Sequence, residues 1–337
     1  MKAYEIQKTF GLDALTLVER TDPVPPPGHV LVRVSAASLN YRDLLTVQGL
    51  YNPTQPLPLV PLSDGVGEVL RAGDGVTRVK PGQRVAGAFC QRWIAGPPTK
   101  AKLLSALGGP LDGMLCDHIV LHEEGLVPVP ETLSDEEAAT LPCAAVTAWS
   151  ALVAQGGLRP GQTLVVLGTG GVSIFALQIA KLVGARVIVT SSSDAKLERA
   201  RGLGADEGVN YKTTPDWPKR VRELTGGEGA DHVLEVGGGG TFPLSVRATR
   251  VGGTISLIGV LAGNTTDVNL APILMQNIRV QGVIVGSRET AEAAYRALAQ
   301  HRLRPVVDRV FPFAEARAAM EWMAGQQHFG KIVIRMD

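Results

Sequence analysis

Two stretches of the chain carry residue types at spacings that could do chemistry, and a third imitates one. The first is Val165-Val166-Leu167-Gly168-Thr169-Gly170-Gly171-Val172, where a β-branched run meets a helical pattern across a glycine turn. Glycine lets the backbone approach a charged group closely, and the free N–H groups of a helix start stabilise negative charge. Strand, glycine turn and helix in that order are the context of a dinucleotide fingerprint, with Thr169, Gly170, Gly171 and Val172 as candidate pyrophosphate contacts. Ser173 replaces the third glycine of G-x-G-x-x-G and is still small enough for close helix packing. A glycine turn in an unliganded α/β domain is the plainer alternative.

The second stretch is Ser191-Ser192-Ser193 with Lys196 one helical turn further on. It stands where an NAD site usually has a carboxylate that accepts from the ribose 2′-OH. Hydroxyls and an ammonium can donate to a 2′-phosphate that a carboxylate would repel, so Ser191, Ser192 and Lys196 point to NADPH. Asp194 has its simpler role in the first turn of the following helix, although a shifted acid could still hold a ribose. The imitation is Cys116-Asp117-His118-Ile119-Val120-Leu121-His122-Glu123. On a helix His118 and His122 would share a face and could bind a metal. The Ile-Val-Leu centre favours a strand, which sets them about 13 Å apart.

These residues need rigid elements to position them, and the patterning supplies two kinds. Up to residue 125 the chain is written in short runs divided by Gly and Pro, such as 29–34 with Val30, Val32 and Val34 on one face, and 65–70 and 84–88 beside turn signals. That half predicts a β-barrel or folded sheet. Near Glu131 the composition changes: Ser134-Asp135-Glu136-Glu137 starts an apolar helix that runs to Gly156-Gly157. Six runs then alternate with helical patterns, at 163–167, 186–190, 208–211, 232–236, 254–259 and 279–285, which argues for an α/β domain with a six-stranded, parallel, doubly wound sheet. From Arg288 onward two helical patterns and a last strand at 331–335 return to the first domain.

The 337 residues are enough for two domains. Lys plus Arg is 33 against 32 Asp plus Glu, a net charge of +1 with no one-sided field for nucleic acid or a membrane surface. Residues 160–180 lack charge over about the length of a membrane span, but Gly168, Gly170 and Gly171 cut the stretch in two. Cys90, Cys116 and Cys143 are an odd number at wide spacing, which suits a reducing compartment. Lys8 and Glu5 break any apolar leader, so the expected location is cytoplasmic.

Over almost its whole length the sequence resembles the zinc-independent branch of the medium-chain dehydrogenases/reductases, close to NADPH:quinone oxidoreductases and enoyl reductases. The residues that carry the likeness are Asn40-Tyr41-Arg42-Asp43 with Gln48-Gly49-Leu50-Tyr51, Lys80-Pro81-Gly82-Gln83-Arg84-Val85, Val146-Thr147-Ala148-Trp149, the glycine turn, Val209-Asn210-Tyr211 and Gly330-Lys331-Ile332-Val333. The resemblance implies a GroES-like β-barrel catalytic domain from residues 1–125 and 288–337, a Rossmann domain at 126–287, and a cleft between them. It sets Thr147 at the nicotinamide, Tyr211 by the adenosine end and Lys331 reaching the cofactor, with Gly259, Val260 and Val285 also in the cofactor set. It further implies a homodimer in which the strand at 279–285 pairs with its copy, a small-molecule substrate, and no nucleic-acid or membrane partner.

Zinc-dependent members hold their metal with Cys, His and a further Cys or acid. Here Asn40 and Ser63, followed by Asp64, stand in the first two places and only Cys143 keeps a ligand type, so no metal is expected. A reductase without zinc must polarise the substrate oxygen with donors such as Asn40, Tyr41 or Tyr51. Tyr51 resembles the enoyl-reductase proton donor; alternatively the tyrosines are pocket walls and water delivers the proton. Asp43 is expected to orient its loop, and Arg42 to be a surface or domain-packing charge. The expected activity is NADPH-dependent hydride transfer to a quinone or an α,β-unsaturated carbonyl. The rivals are a zinc-free NAD(P)-dependent alcohol dehydrogenase and a non-catalytic NADPH-binding protein. A hydrolase nucleophile at Ser173 fails, because G-x-S-x-G would need glycine where Phe175 stands.

Overall fold

Short alternating runs fold here into antiparallel strands, and β-branched runs that alternate with helices fold into parallel ones. The computed structural model describes residues 1–336, in two compact units: Met1–Val146 with the segment from Gly286 onward, and Thr147–Val285. In chain order the first unit holds β1 (Lys2–Ile6), β2 (Leu15–Glu19), β3 (His29–Ser38), β4 (Asp64–Ala72), β5 (Arg84–Gly87), β6 (His118–His122) and β7 (Leu126–Pro128). The second holds β8 (Thr163–Leu167), β9 (Arg186–Ser191), β10 (Glu207–Asn210), β11 (Ala230–Glu235), β12 (Thr249–Leu257) and β13 (Arg279–Gly282). β14 (Val307–Pro312) and β15 (Lys331–Arg335) belong to the first unit again.

The seven-stranded sheet of the first unit runs β14-β15-β3-β4-β5-β7, with β6 also paired to β3. Val30, Val32 and Val34 turn inward as their alternation requires, and pack with Leu44, Val47, Met320, Ile332 and Ile334. β3 takes antiparallel neighbours on both sides: Val333 lies opposite Ser38 on one side, and Asp64 lies opposite Ser38 on the other. This register brings the first residue of β15, the first of β4 and the chain just past β3 to one place. The first unit extends to Val146, beyond the 125 expected, because β7 pairs with β5 and Arg84 clamps Leu133 O and Asp135. The second junction falls at 285/286 against the expected 287/288. β14 was not foreseen, since Asp308, Arg309 and Pro312 dilute its apolar pattern.

The sheet of the second unit has the order β10-β9-β8-β11-β12-β13, all parallel, which is the doubly wound Rossmann order. β8 is buried along its whole length, as a central parallel strand must be. Four of the six strands lie within two residues of the expected runs at each end; β12 starts five residues earlier than expected, at Thr249, and β13 stops at Gly282, short of Val285, where φ is +44°. The apolar helix expected from Ser134 contains widened turns at Leu141–Ala145 and Ser150–Ala154. Among the described residues no helix is long and apolar enough to cross a membrane.

Candidate functional site

In the second unit β8 is followed by Gly168, whose φ of +71° is open to glycine and costly for other residues. The helix Gly171–Val183 starts at Gly170, which offers no side chain to cap it. A Cβ placed on Gly168 or Gly170 would meet nothing within 4 Å, so the front of the turn is open and its helix-start N–H groups suit an anion. Ser173 is buried and donates from Oγ to Leu167 O at 2.8 Å, which ties the helix to the strand end. That bond gives it the close-packing role of the missing glycine. Thr169 is buried and Val172 half-buried beside the turn.

The three serines after β9 separate in role. Ser193 caps the helix Asp194–Gly202 by accepting from Lys196 N, and Ser191 Oγ accepts from Ser193 N at 3.3 Å. Ser192 and Lys196 are half-buried. Asp194 sits in the first helical turn, as expected, and accepts from Asn210 Nδ2 at 2.8 Å. Tyr211 is exposed, and its N–H donates to Ser191 O. Gly259 lies so close to Val236 O that a Cβ would reach 2.4 Å, while Val260 is exposed and Val285 and Thr147 are buried.

Sequence reasoning missed Glu235 at the end of β11. Fully buried, its Oε1 accepts from Gly237 N, Gly238 N and Thr241 Oγ1, and its Oε2 from Ser245 Oγ. A carboxylate so satisfied fixes the turn Gly237–Gly240 in place. The available signal was a glutamate one residue before a glycine run, with hydroxyls following at Thr241 and Ser245.

In the first unit the meeting of β15, β3 and β4 forms a buried polar cluster. Asn40 precedes the helix Tyr41–Val47, and Asp43 reaches back to accept from Asn40 N at 2.8 Å. The Asn40 carboxamide accepts from Lys331 Nζ through Oδ1 at 2.6 Å and donates from Nδ2 to Ser63 Oγ at 3.3 Å. Ser63 donates to Asp64 Oδ1 at 3.1 Å, and Cys143 N donates to Asp64 Oδ2 at 3.2 Å. Lys331 Nζ also donates to Leu39 O at 2.6 Å and lies 3.7 Å from Asp64 Oδ2. The strand register that joins residues 64 and 331 has no local sequence signal.

Asp43 and Asp64 are fully buried. Burial pushes the Asp43 carboxyl up to about 6, with Asp64 adding to the shift and Arg42 and Lys331 opposing it. Burial also raises Asp64, against the pull of Lys331. The Cys143 thiol is pushed far up by burial and then by Asp64. Arg42 is not a surface charge: it donates to Leu107 O and Gly109 O, both at 2.9 Å, and stacks 4.8 Å from the Tyr51 ring centroid and 5.0 Å from that of Phe89. Tyr51 is 48% exposed and Tyr41 half-buried; among the described residues neither hydroxyl has a hydrogen-bond partner.

These donors do not fit zinc. Asn40 and Ser63 are neutral, the Cys143 thiol is held protonated, and a lysine ammonium already faces the carboxylate. Among the described residues no three His, Cys, Asp or Glu side chains cluster as a metal site, and His118 and His122 lie on the strand β6.

Residues 26–131 match the alcohol dehydrogenase GroES-like domain family and residues 171–300 the zinc-binding dehydrogenase family. A zinc-type alcohol dehydrogenase-like protein of Schizosaccharomyces pombe is 45% identical over 92% of each chain. An acryloyl-coenzyme A reductase of Metallosphaera sedula is 31% identical over 94% of this chain and 95% of its own. Among solved structures, an NAD-dependent alcohol dehydrogenase matches with a TM-score of 0.92 at 36% identity over all of both chains. The crotonyl-CoA carboxylase/reductase AntE in complex with NADP matches with a TM-score of 0.90 at 26% identity, over 99% of this chain and 94% of that one.

Proposed function

The chain belongs to the medium-chain dehydrogenase/reductase superfamily, and on that footing we propose that it is an NADPH-dependent reductase that works without zinc. The acceptor is a quinone or an α,β-unsaturated carbonyl. The observation that carries this reading is the buried cluster in which Lys331 faces Asp64 and Asn40 and Ser63 stand beside them, a donor set that does not fit a zinc ion for activating an alcohol. Ser191, Ser192 and Lys196 at the end of β9 support the 2′-phosphate, and Asp194 is held by Asn210. The glycine turn, with Thr169 to Val172, holds the pyrophosphate, and Thr147, Tyr211, Gly259, Val260 and Val285 complete the cofactor set. The unpaired state of Cys90, Cys116 and Cys143 suits the cytoplasm.

When bound, the cofactor supplies a hydride. The unengaged hydroxyls of Tyr41 and Tyr51 are the donors available to the substrate oxygen, because the Asn40 carboxamide is committed to Lys331 and Ser63. Hydride addition to the β-carbon of an enone leaves an enolate, and Tyr51 gives its phenolic proton to the α-carbon; solvent then reprotonates the tyrosine. A quinone takes the same hydride and one proton to become a hydroquinone.

An alcohol dehydrogenase is the second reading, favoured by the two alcohol-dehydrogenase relatives. Loss of NADPH absorbance with a panel of quinones, enones and enoyl thioesters, set against NADP⁺ reduction with alcohols, decides between them. Zinc content is measured on the same active sample. Turnover only with alcohols, or stoichiometric zinc required for it, overturns the proposal.

A further inference from the structure

Lys331 is a buried cation of the first unit, with 3% of its surface exposed. Its three N–H groups face Leu39 O, Asn40 Oδ1 and Asp64 Oδ2 at 2.6, 2.6 and 3.7 Å. An ammonium only donates, so the atom it touches on Asn40 must be the carbonyl oxygen. A flipped amide would set –NH₂ against –NH₃⁺. One lysine thus determines which way Asn40 points, and Asn40 in turn hydrogen-bonds Ser63, the partner of Asp64. Leu39 and Asn40 lead directly into Tyr41 and the helix that carries Arg42, on which Tyr51 stacks.

We infer that Lys331 is a positioning residue: its ammonium is the resident cation of this site, which compensates Asp64 and pins Leu39 and Asn40 at the start of the tyrosine-bearing segment. It is not a cofactor ligand, because moving it to a phosphate would strip a buried carboxylate of its counter-charge and orphan two acceptors. This departs from the family resemblance, which sent Lys331 to the cofactor. The effect on turnover rests on the reductase reading above; the pairing with Asp64 does not.

The experiment therefore has two arms. Thermal unfolding of wild type, K331M, D64N and the double variant, without added nucleotide, tests the pairing. Either single change is expected to lower the midpoint by roughly 5 °C or more, and the double variant to recover over half of that loss. If K331M does not fold and the double variant does, the compensation is seen directly. Additive losses, or failure of both to fold, overturn the inference.

The second arm measures NADPH affinity and steady-state enone turnover in K331M, or in the double variant where only that folds. The expected result is kcat lowered roughly ten- to hundredfold, with the NADPH Kd within about twofold of wild type. A Kd raised about tenfold at unchanged kcat makes Lys331 a cofactor ligand and overturns the inference. Wild type that binds neither NADPH nor NADH refutes the reductase reading instead, and the unfolding cycle still decides the pairing.

Discussion

Asp43 is fully buried with Oδ1 lacking a hydrogen bond, so ionising it in the fold costs more than ionising it in the unfolded chain. Its carboxyl is raised to about 6, so the folded state holds the proton more tightly. The stability this contributes is present below the unfolded carboxyl range near pH 4 and is lost as pH rises through about 6. D43N keeps an acceptor for the Asn40 N–H and removes the charge. Relative to D43N, the wild type should therefore lose about 1 to 3 kcal/mol between pH 4 and pH 7, measured by denaturant unfolding. A constant difference across that range would mean that Asp43 ionises freely. Tyr51 is the residue-scale test of the chemistry. A phenolic general acid contributes about 10²- to 10⁴-fold. Y51F should depress enone turnover by up to that factor, spare quinone turnover, whose product takes protons from water, and leave NADPH affinity intact. Full enone turnover in Y51F, with chemistry rate-limiting, would make the tyrosine a wall.

At the scale of elements, the proposed NADPH preference is tested in the segment that follows β9. A hydrogen bond to a charged group contributes roughly 1.5 to 3 kcal/mol, so K196A should weaken NADPH about tenfold or more and leave NADH nearly unchanged. Equal dissociation constants for both cofactors in the wild type would contradict the assignment. The elements that hold this region were legible because their signals are local: β8 follows its apolar run residue for residue, Gly168 takes a positive φ, and Gly184 closes the helix at φ +86°. The buried cluster was legible only in part. Asn40, Ser63, Asp64 and Cys143 could be placed by resemblance, but the partnership of Lys331 with Asn40 depends on β15 lying beside β3, a contact across 291 residues. Arg42 is the packing charge that one half of the expectation allows, but nothing in four adjacent letters announces its partners, two carbonyls at 107 and 109 and two aromatic rings. Glu235 went unmarked in the sequence, since the backbone N–H groups it accepts from carry no side-chain signature.

At the scale of the whole molecule, the proposed homodimer is tested at the edge of the six-stranded sheet. Among the described residues β13 pairs with β12 on one side and with no strand on the other. Its Val280 is 39% exposed, Ile284 just beyond it 41%, and the helix Ala271–Met275 that leads into it bares Leu274 and Met275 to 78% and 80%. Isolated chains rarely leave an apolar strand edge and an apolar helix face side by side in water, because the edge templates pairing and the face costs roughly 25 cal/mol per Å² exposed. The strand is shorter than its sequence run of 279–285, since the chain turns away at Val285, so about four residues on each side are available for pairing. Backbone pairing over so short a stretch would not hold two chains alone, and the exposed leucine and methionine side chains supply the apolar area. A dimer built through this edge should weigh twice the chain mass by light scattering at micromolar concentration. V280K should shift it toward monomer, because each copy would then bring a buried like charge to the same seam. A monomeric mass for the wild type under those conditions would remove the strand edge as an interface.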